Sequence, residues 1–150
     1  MFIRQMLVGD VVTVAIIEAS AVSSWSMGQI ASEIQRKSGV SLVAVAPSGE
    51  IQAWCCGFHT GVDAELLKIT VNPLVQRLGI GEALLKGLCL LYAKQGVQQV
   101  YLEVRSQNHP ALKLYAKHNF QEVGRRKSYF KEPADDAVIF VHGLNVNDKE

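Results

Sequence analysis

The chain has 150 residues, which fits one domain of ordinary size, and its 49% hydrophobic and 19% charged content excludes wholesale disorder. Fifteen Lys and Arg against fourteen Asp and Glu leave no global field to draw in nucleic acid or an anionic membrane. No uncharged apolar stretch reaches about 18 residues, so no spanning helix is predicted.

Residues 2–8 read as a short apolar strand. Asp10 can cap a helix over the next apolar run, with Val11, Val12, Ala15, Ile16, Ala19 and Val22 on one face at helical spacing. Arg4 before this run and Ala19-Ser20-Ala21 after it have the outline of a secretory signal, but Asp10 and Glu18 bracket the apolar core at the short limit, and the segment is read as a mature helix. Ser26 opens a second helix, with Gln29 completing a capping box and Gly39 marking its end. Leu42–Ala46, Ile51–His59 and Leu66–Val71 read as strands joined by Pro47-Ser48-Gly49-Glu50 and Gly61-Val62-Asp63 turns. Asn72-Pro73 stops the third of these, because proline cannot donate to a sheet ladder.

A long helix is predicted from about Gly79 to Gln95, with Ile80, Leu84, Leu88, Leu91 and Tyr92 as its buried stripe. Val97–Arg105 alternates as a half-buried strand does: Val100, Leu102 and Val104 face one way, Tyr101, Glu103 and Arg105 the other. Asn108-His109-Pro110 starts a helix that ends near His118-Asn119. Strands over Phe120–Phe130 and Ala137–Gly143 close the chain, with a polar tail over 145–150. The order β-α-α-β-β-β-α-β-α-β-β is a mixed, mostly antiparallel α/β sheet flanked by helices. Cys55, Cys56 and Cys89 have neither disulfide nor metal-ligand spacing and read as buried hydrophobes in a reducing compartment, which points to the cytoplasm.

Gln76-Arg77-Leu78-Gly79-Ile80-Gly81 joins a strand to a helix start. Unpaired backbone N–H groups and a partial positive charge there suit a phosphate, and glycines let the backbone approach it. The loop is neither a P-loop nor a GxGxxG turn.

Val71-Asn72-Pro73, then Gln76, then Gly79-x-Gly81 before an amphipathic helix resembles the acetyl-CoA motif of the GNAT superfamily of N-acetyltransferases, and the element order is similar to that fold. The resemblance implies a single N-acetyltransferase domain over 1–144 and acetyl-CoA as co-substrate, with no metal. It implies that backbone groups of Ile69, Thr70 and Val71 hold the pantetheine arm. Backbone N–H groups of Arg77, Leu78, Gly79, Ile80, Gly81 and Glu82 would hold the pyrophosphate. Glu82 departs from the basic or small residue usual there, so its side chain is expected to point away.

Acyl transfer from a thioester to an amine needs a base, an oxyanion donor and an acid for the leaving thiolate. Glu103 is the candidate base, Tyr115 the candidate acid and the Val71 backbone N–H the candidate oxyanion donor. Leu102-Glu103-Val104-Arg105 with Asn108, then Ala111 to Tyr115, is similar to the ribosomal-protein-alanine N-acetyltransferases, which acetylate an N-terminal α-amine. The similarity continues through Arg126, Tyr129-Phe130 and Asp136-Ala137, and early in Trp25-Ser26. It implies Glu103 as base, Tyr115 as acid and coenzyme contact, Asn108 as a further coenzyme contact, and Trp25 and Tyr129 on the acceptor side. Phe130 replaces a second tyrosine, Ser24 a usual proline, and Asn119 a usual glycine.

The implied acceptor is a protein N-terminus, a small-subunit ribosomal protein among the candidates, with a lysine or small-molecule amine, or a non-catalytic acyl-CoA-binding module, as alternatives. An α-amine, with a pKa of about 7.7–8.0 against about 10.4 for lysine, costs roughly 3 kcal/mol less to deprotonate near neutrality, which favours the N-terminus for a carboxylate base. The implied assembly state is a monomer or weak dimer.

Overall fold

The computed structural model describes residues 1–144; the tail expected over 145–150 lies outside them. Strand β1 (Phe2–Gln5) is shorter than predicted, because Val8–Asp10 form a 3-10 turn. Asp10 does not cap the helix that follows. Its carboxylate instead accepts from Leu7 N at 2.8 Å and from Arg4 Nη1 at 2.7 Å, and the Arg4 guanidinium holds its pKa low.

Helix α1 (Val11–Glu18) corrects the expected face. Val11, Val14, Ile17 and Glu18 are buried, while Val12 and Ile16 are 58% and 71% exposed. The segment is apolar nearly all round, so periodicity could not fix its phase. The face that places a carboxylate inside wins, because that carboxylate finds partners. Helix α2 (Met27–Ile34) has the expected capping box: Ser26 Oγ accepts from Gln29 N, and Gln29 Oε1 accepts from Ser26 N. It stops at Ile34 rather than at Gly39, which opens strand β2 (Gly39–Val45). A Cβ on Gly39 would lie 2.9 Å from Arg36 O, so the glycine serves a tight entry into the strand, not a helix cap.

Strands β3 (Ile51–Thr60) and β4 (Asp63–Val71), helix α3 (Ile80–Lys94), strand β5 (Gln99–Arg105), helix α4 (His109–Lys117) and strands β6 (Gln121–Lys131) and β7 (Ala134–Gly143) complete the predicted order. They build a seven-stranded sheet in the order β1-β2-β3-β4-β5-β7-β6. Every pairing is antiparallel except β4 with β5. One face packs under α3 and α4 through Leu84, Leu85, Leu88, Tyr92, Val100, Leu102 and Tyr115. The other packs under α1 and α2 through Val14, Ile17, Ile30, Val43 and Trp54. Asn119, in the left-handed conformation at φ 68°, takes the expected turn after α4. Among the described residues no helix is long and apolar enough to cross a membrane.

The parallel pairing of β4 and β5 is brief: Asp63, Ala64 and Glu65 meet Gln99, Val100 and Tyr101, and then the strands part. The cause is local. The β3–β4 register steps from Cys56↔Lys68 to Gly57↔Leu66, leaving Leu67 as an extra residue on β4. Such a bulge bends the strand that carries it. Gly57 sits at the same point, and a Cβ there would overlap both the Glu65 carbonyl oxygen and the Tyr92 hydroxyl. The sheet therefore opens where Leu66–Val71 and Leu102–Arg105 run on without pairing to each other.

Candidate active site

The parting strands enclose a cleft of about 670 Å³. Ile69, Thr70, Val71, Gln76, Glu103, Asn108, Tyr115 and Trp25 all line it. The sequence therefore placed in one cavity residues that lie up to 90 positions apart (Trp25 to Tyr115).

One side of the cleft is the inner edge of β4. Beyond Glu65 that edge has no strand partner, so its backbone groups face the cleft, and an extended amide-bearing chain can pair with them. Gln76 Nε2 donates to Val71 O at 3.2 Å and folds the following loop back on the strand end. Arg77 and Gly79 hold φ of 65° and 82°, and Gly79 caps α3 in the left-handed conformation. A Cβ on Gly81 would stand 3.4 Å from Val71 Cγ2. The loop thus enters the first turn of α3 with no side chain at Gly79 or Gly81, and the free backbone N–H groups of a helix start suit a pyrophosphate. Arg77, Leu78, Gly79, Ile80, Gly81 and Glu82 adjoin the cleft rather than lining it. Glu82 does turn to other partners: Lys86 Nζ at 3.3 Å, Lys117 Nζ at 3.1 Å and His118 Nε2 at 3.4 Å. The two lysines hold its pKa low, and burial lowers that of His118.

Glu103 projects from β5 on the side opposite buried Val100, Leu102 and Val104. Its side chain is 33% exposed and lies 3.6 Å from Arg126 Nε, so it is wet enough to exchange protons with a water. Tyr115 comes from α4 on the other face of the sheet, 5% exposed, among Phe120 and Phe140 at ring distances of 5.6 and 6.1 Å. Burial pushes its phenol pKa up, so it holds a proton to give and does not act as a base. Asn108 caps α4, its Oδ1 accepting from Ala111 N at 3.2 Å, and faces the cleft from that cap.

Of the two residues expected toward an acceptor, one lines the cleft and one does not. Trp25 lines the cleft and packs edge-on against Trp54 at 5.9 Å. Tyr129 does not line it; that position is filled by Phe130, and Tyr129 is 48% exposed. The β6 register slips between Arg126 and Phe130, with Ser128 at φ 51°, which displaces the alternation a regular strand would have.

Four residues were not singled out from sequence. Arg105 donates to Pro133 O at 2.7 Å, to Glu132 O at 3.3 Å and to Ser23 Oγ, and stacks 4.3 Å over Phe130. Asp135 accepts from Ser106 Oγ and Gln107 N, fixing the turn into α4. Lys68 and buried Glu18 pair at 3.1 Å behind the cleft wall formed by Ser20 to Ser23 and Trp25. A lone carboxylate in the apolar run of α1 was the available signal for Glu18.

Residues 13–120 match the acetyltransferase (GNAT) family. A Bacillus subtilis protein provisionally named ribosomal protein bS18-alanine N-acetyltransferase is 29% identical over 95% of both chains. The N-alpha-acetyltransferase RimI of Mycobacterium tuberculosis is 47% identical over 73 residues, 49% of this chain and 44% of that one. The crystal structure of the Escherichia coli ribosomal-protein-S18-alanine N-acetyltransferase superposes with a TM-score of 0.88 at 29% identity, covering 97% of this chain and 94% of that one.

Proposed function

The chain belongs to the acetyltransferase (GNAT) family, and from that premise we propose that it transfers the acetyl group of acetyl-CoA to the N-terminal α-amine of a protein, with a small-subunit ribosomal protein as the leading acceptor. The enzyme class, an acetyl-CoA-dependent N-acetyltransferase, follows from the family. The acceptor reading is supported by relatives named for alanine N-acetylation of protein bS18. Its seat is the cleft that Glu103 and Tyr115 both line between parted strands.

When bound, acetyl-CoA supplies the thioester. Backbone groups of Ile69, Thr70 and Val71 would hold the pantetheine arm along the unpaired edge of β4. The Val71 N–H would serve as oxyanion donor. Backbone N–H groups of residues 77–82, freed of covering side chains at Gly79 and Gly81, would hold the pyrophosphate, with Asn108 and Tyr115 as further contacts. Glu103, through a water, takes the proton of the incoming amine. Tyr115 keeps its phenol proton until the sulfur leaves and then gives it up. The amine approaches along the wall formed by residues 20–25; Trp25 is the acceptor contact there. Tyr129, outside the cleft proper, is left with the more distant part of the acceptor. The cytoplasm, where ribosomal proteins are made, is the compartment this reading requires.

Coenzyme thiol release over a panel of amines tests it. Ala- and Ser-initiated peptides should turn over, and blocking their α-amine should abolish the signal. Turnover confined to lysine side chains or small amines would move the acceptor. Coenzyme binding without turnover on any amine would reduce the protein to a binding module.

A further inference from the structure

Among the described residues Glu18 is the only buried charged side chain, with 0% exposure. A carboxylate removed from water is strongly disfavoured unless hydrogen bonds and an opposite charge replace its hydration. Glu18 has both. Its Oε1 accepts from Thr70 Oγ1 at 2.7 Å and from Trp54 Nε1 at 3.2 Å. Its Oε2 accepts from Trp25 N at 2.9 Å and pairs with Lys68 Nζ at 3.1 Å.

These partners come from three places. Trp54 is in β3, Thr70 and Lys68 are in β4, and Trp25 ends the irregular connection between α1 and α2. That connection, from Ser20 to Trp25, is one wall of the cleft and has no helix or strand to stiffen it. Lys68 Nζ also donates to Ser23 O at 3.3 Å, so the same cluster grips the wall twice. β4 is at the same time the strand along which the coenzyme arm is read. Glu18 thus ties the acceptor wall to the donor strand, yet it does not line the cleft itself.

We propose that Glu18 is a positioning residue for the acceptor: through Trp25 N–H, Thr70 Oγ1 and Lys68 it sets the wall of residues 20–25 at a fixed distance from β4, and so governs how the incoming amine is held. The inference rests on the reading that the amine approaches along this wall. Glu18→Gln keeps the shape but puts an amide NH2 against donors at one of the two oxygen positions, and it removes the charge that balances Lys68. The wall then loosens, while β4, held along its length by β3, keeps its coenzyme edge.

The test compares the full chain with its Glu18→Gln variant by calorimetric acetyl-CoA binding, by acceptor KM and kcat, and by hydrogen exchange of the amides of residues 19–25. Wild type is first run on the amine panel, so a wrong acceptor shows before any variant is compared, and the variant is then measured on the amine that is turned over. Acceptor KM should rise about tenfold or more, with coenzyme Kd within about twofold and kcat within about threefold, the split expected when orientation of one substrate is lost. Exchange over 19–25 should quicken about tenfold or more, with α3 unchanged; this readout needs no turnover. Adding Lys68→Met to Glu18→Gln should recover part of the acceptor KM, because it removes the cation left without its counter-charge. If Glu18→Gln does not fold, Lys68→Met alone is read the same way and should raise acceptor KM about threefold or more with coenzyme Kd unchanged. A folded variant with unaltered acceptor KM and exchange overturns the proposal, and so do acceptor KM and coenzyme Kd that rise in parallel.

Discussion

Glu103 and Tyr115 reach one cleft from opposite faces of the sheet, the carboxylate from β5 on the α1–α2 side and the phenol from α4 on the α3 side. A base and an acid on opposite sides of a gap can each serve one partner of a transfer without exchanging protons with each other. Glu103 is also exposed enough that its removal leaves packing intact. Glu103→Gln is expected to lower kcat/KM roughly a hundred- to ten-thousandfold and to change its pH profile, with the melting temperature unchanged. Steady-state rates across pH check this, and an unchanged rate and profile would remove Glu103 from the chemistry.

Tyr115→Phe isolates the hydroxyl. The ring contacts to Phe120 and Phe140 survive, so the fold should persist. The loss should fall on kcat, roughly ten- to a hundredfold, because protonation of the leaving thiolate is a transition-state event. Single-turnover rates with a low-pKa thiol analogue of the coenzyme should show a smaller loss, since such a leaving group needs the proton less.

The element order was legible because most stop signals are chemical: Ser26 with Gln29, Asn72-Pro73 and Asn108 with Pro110 mark the boundaries they should, while Asp10 and Gly39 serve other turns. The backbone of the loop at Gly79 was legible for the same reason, since glycines before an amphipathic helix constrain a backbone, and backbone constraints are local. The far side of the cleft was not. Its wall depends on which way α1 is rotated, and in a helix apolar nearly all round only the pairing of Glu18 with Lys68 and Thr70, 50 and 52 residues away, decides that. Tyr129 was mislaid by a slip in β6 register that leaves no mark on the sequence pattern.

Four buried groups make the fold sensitive to alkali. Burial pushes the Cys55 thiol up to about 12 and raises Cys56, Tyr92 and Tyr115 as well. The unfolded chain gives up these protons at its ordinary values, near 9 for the thiols and 10 for the phenols, while the folded chain keeps them. The stability this adds is therefore full below the unfolded values and is lost as pH rises from there toward the folded ones. Melting temperature should fall between about pH 9 and pH 11, with a slope of up to about 1.4 kcal/mol per pH unit for each such proton. Cys55→Ala should make that slope shallower; an equal slope would show that the thiol keeps its ordinary value.

Three glycines should separate by the reason each is needed. Gly57→Ala drives a methyl group into the Glu65 carbonyl and the Tyr92 hydroxyl, so a loss of about 3 kcal/mol or more is expected in chemical denaturation. Gly79→Ala meets no atom but must hold φ near 82°, costing about 1–2 kcal/mol and raising acetyl-CoA KM about tenfold. Gly81→Ala, with Val71 Cγ2 at 3.4 Å, should cost little stability and raise acetyl-CoA KM by less than Gly79→Ala does. A coenzyme KM raised more by Gly81→Ala than by Gly79→Ala would relocate the pyrophosphate seat.

Arg105 closes one end of the cleft by joining the segment at Ser23 to the β6–β7 turn, beside the direct bond that Ser23 Oγ donates to the Glu132 carbonyl at 3.4 Å. Its guanidinium reaches Ser23 on the wall and the Glu132 and Pro133 carbonyls of the β6–β7 hairpin at once, while its plane lies on Phe130. Only a flat, multiply donating group can do this; an ammonium can satisfy one or two of the partners and cannot stack. Arg105→Lys keeps the charge and should still raise acceptor KM about five- to tenfold, through a hairpin and wall no longer held together. Coenzyme KM should not move, because this clasp reaches β4 through the Lys68 side chain's bond to Ser23 O and not through the backbone of Ile69 to Val71. A screened-charge effect would disappear in salt, so the KM rise should persist at about 0.5 M NaCl; a rise that salt abolishes would mean that Arg105 acts by its charge on the acceptor rather than by joining the two loops.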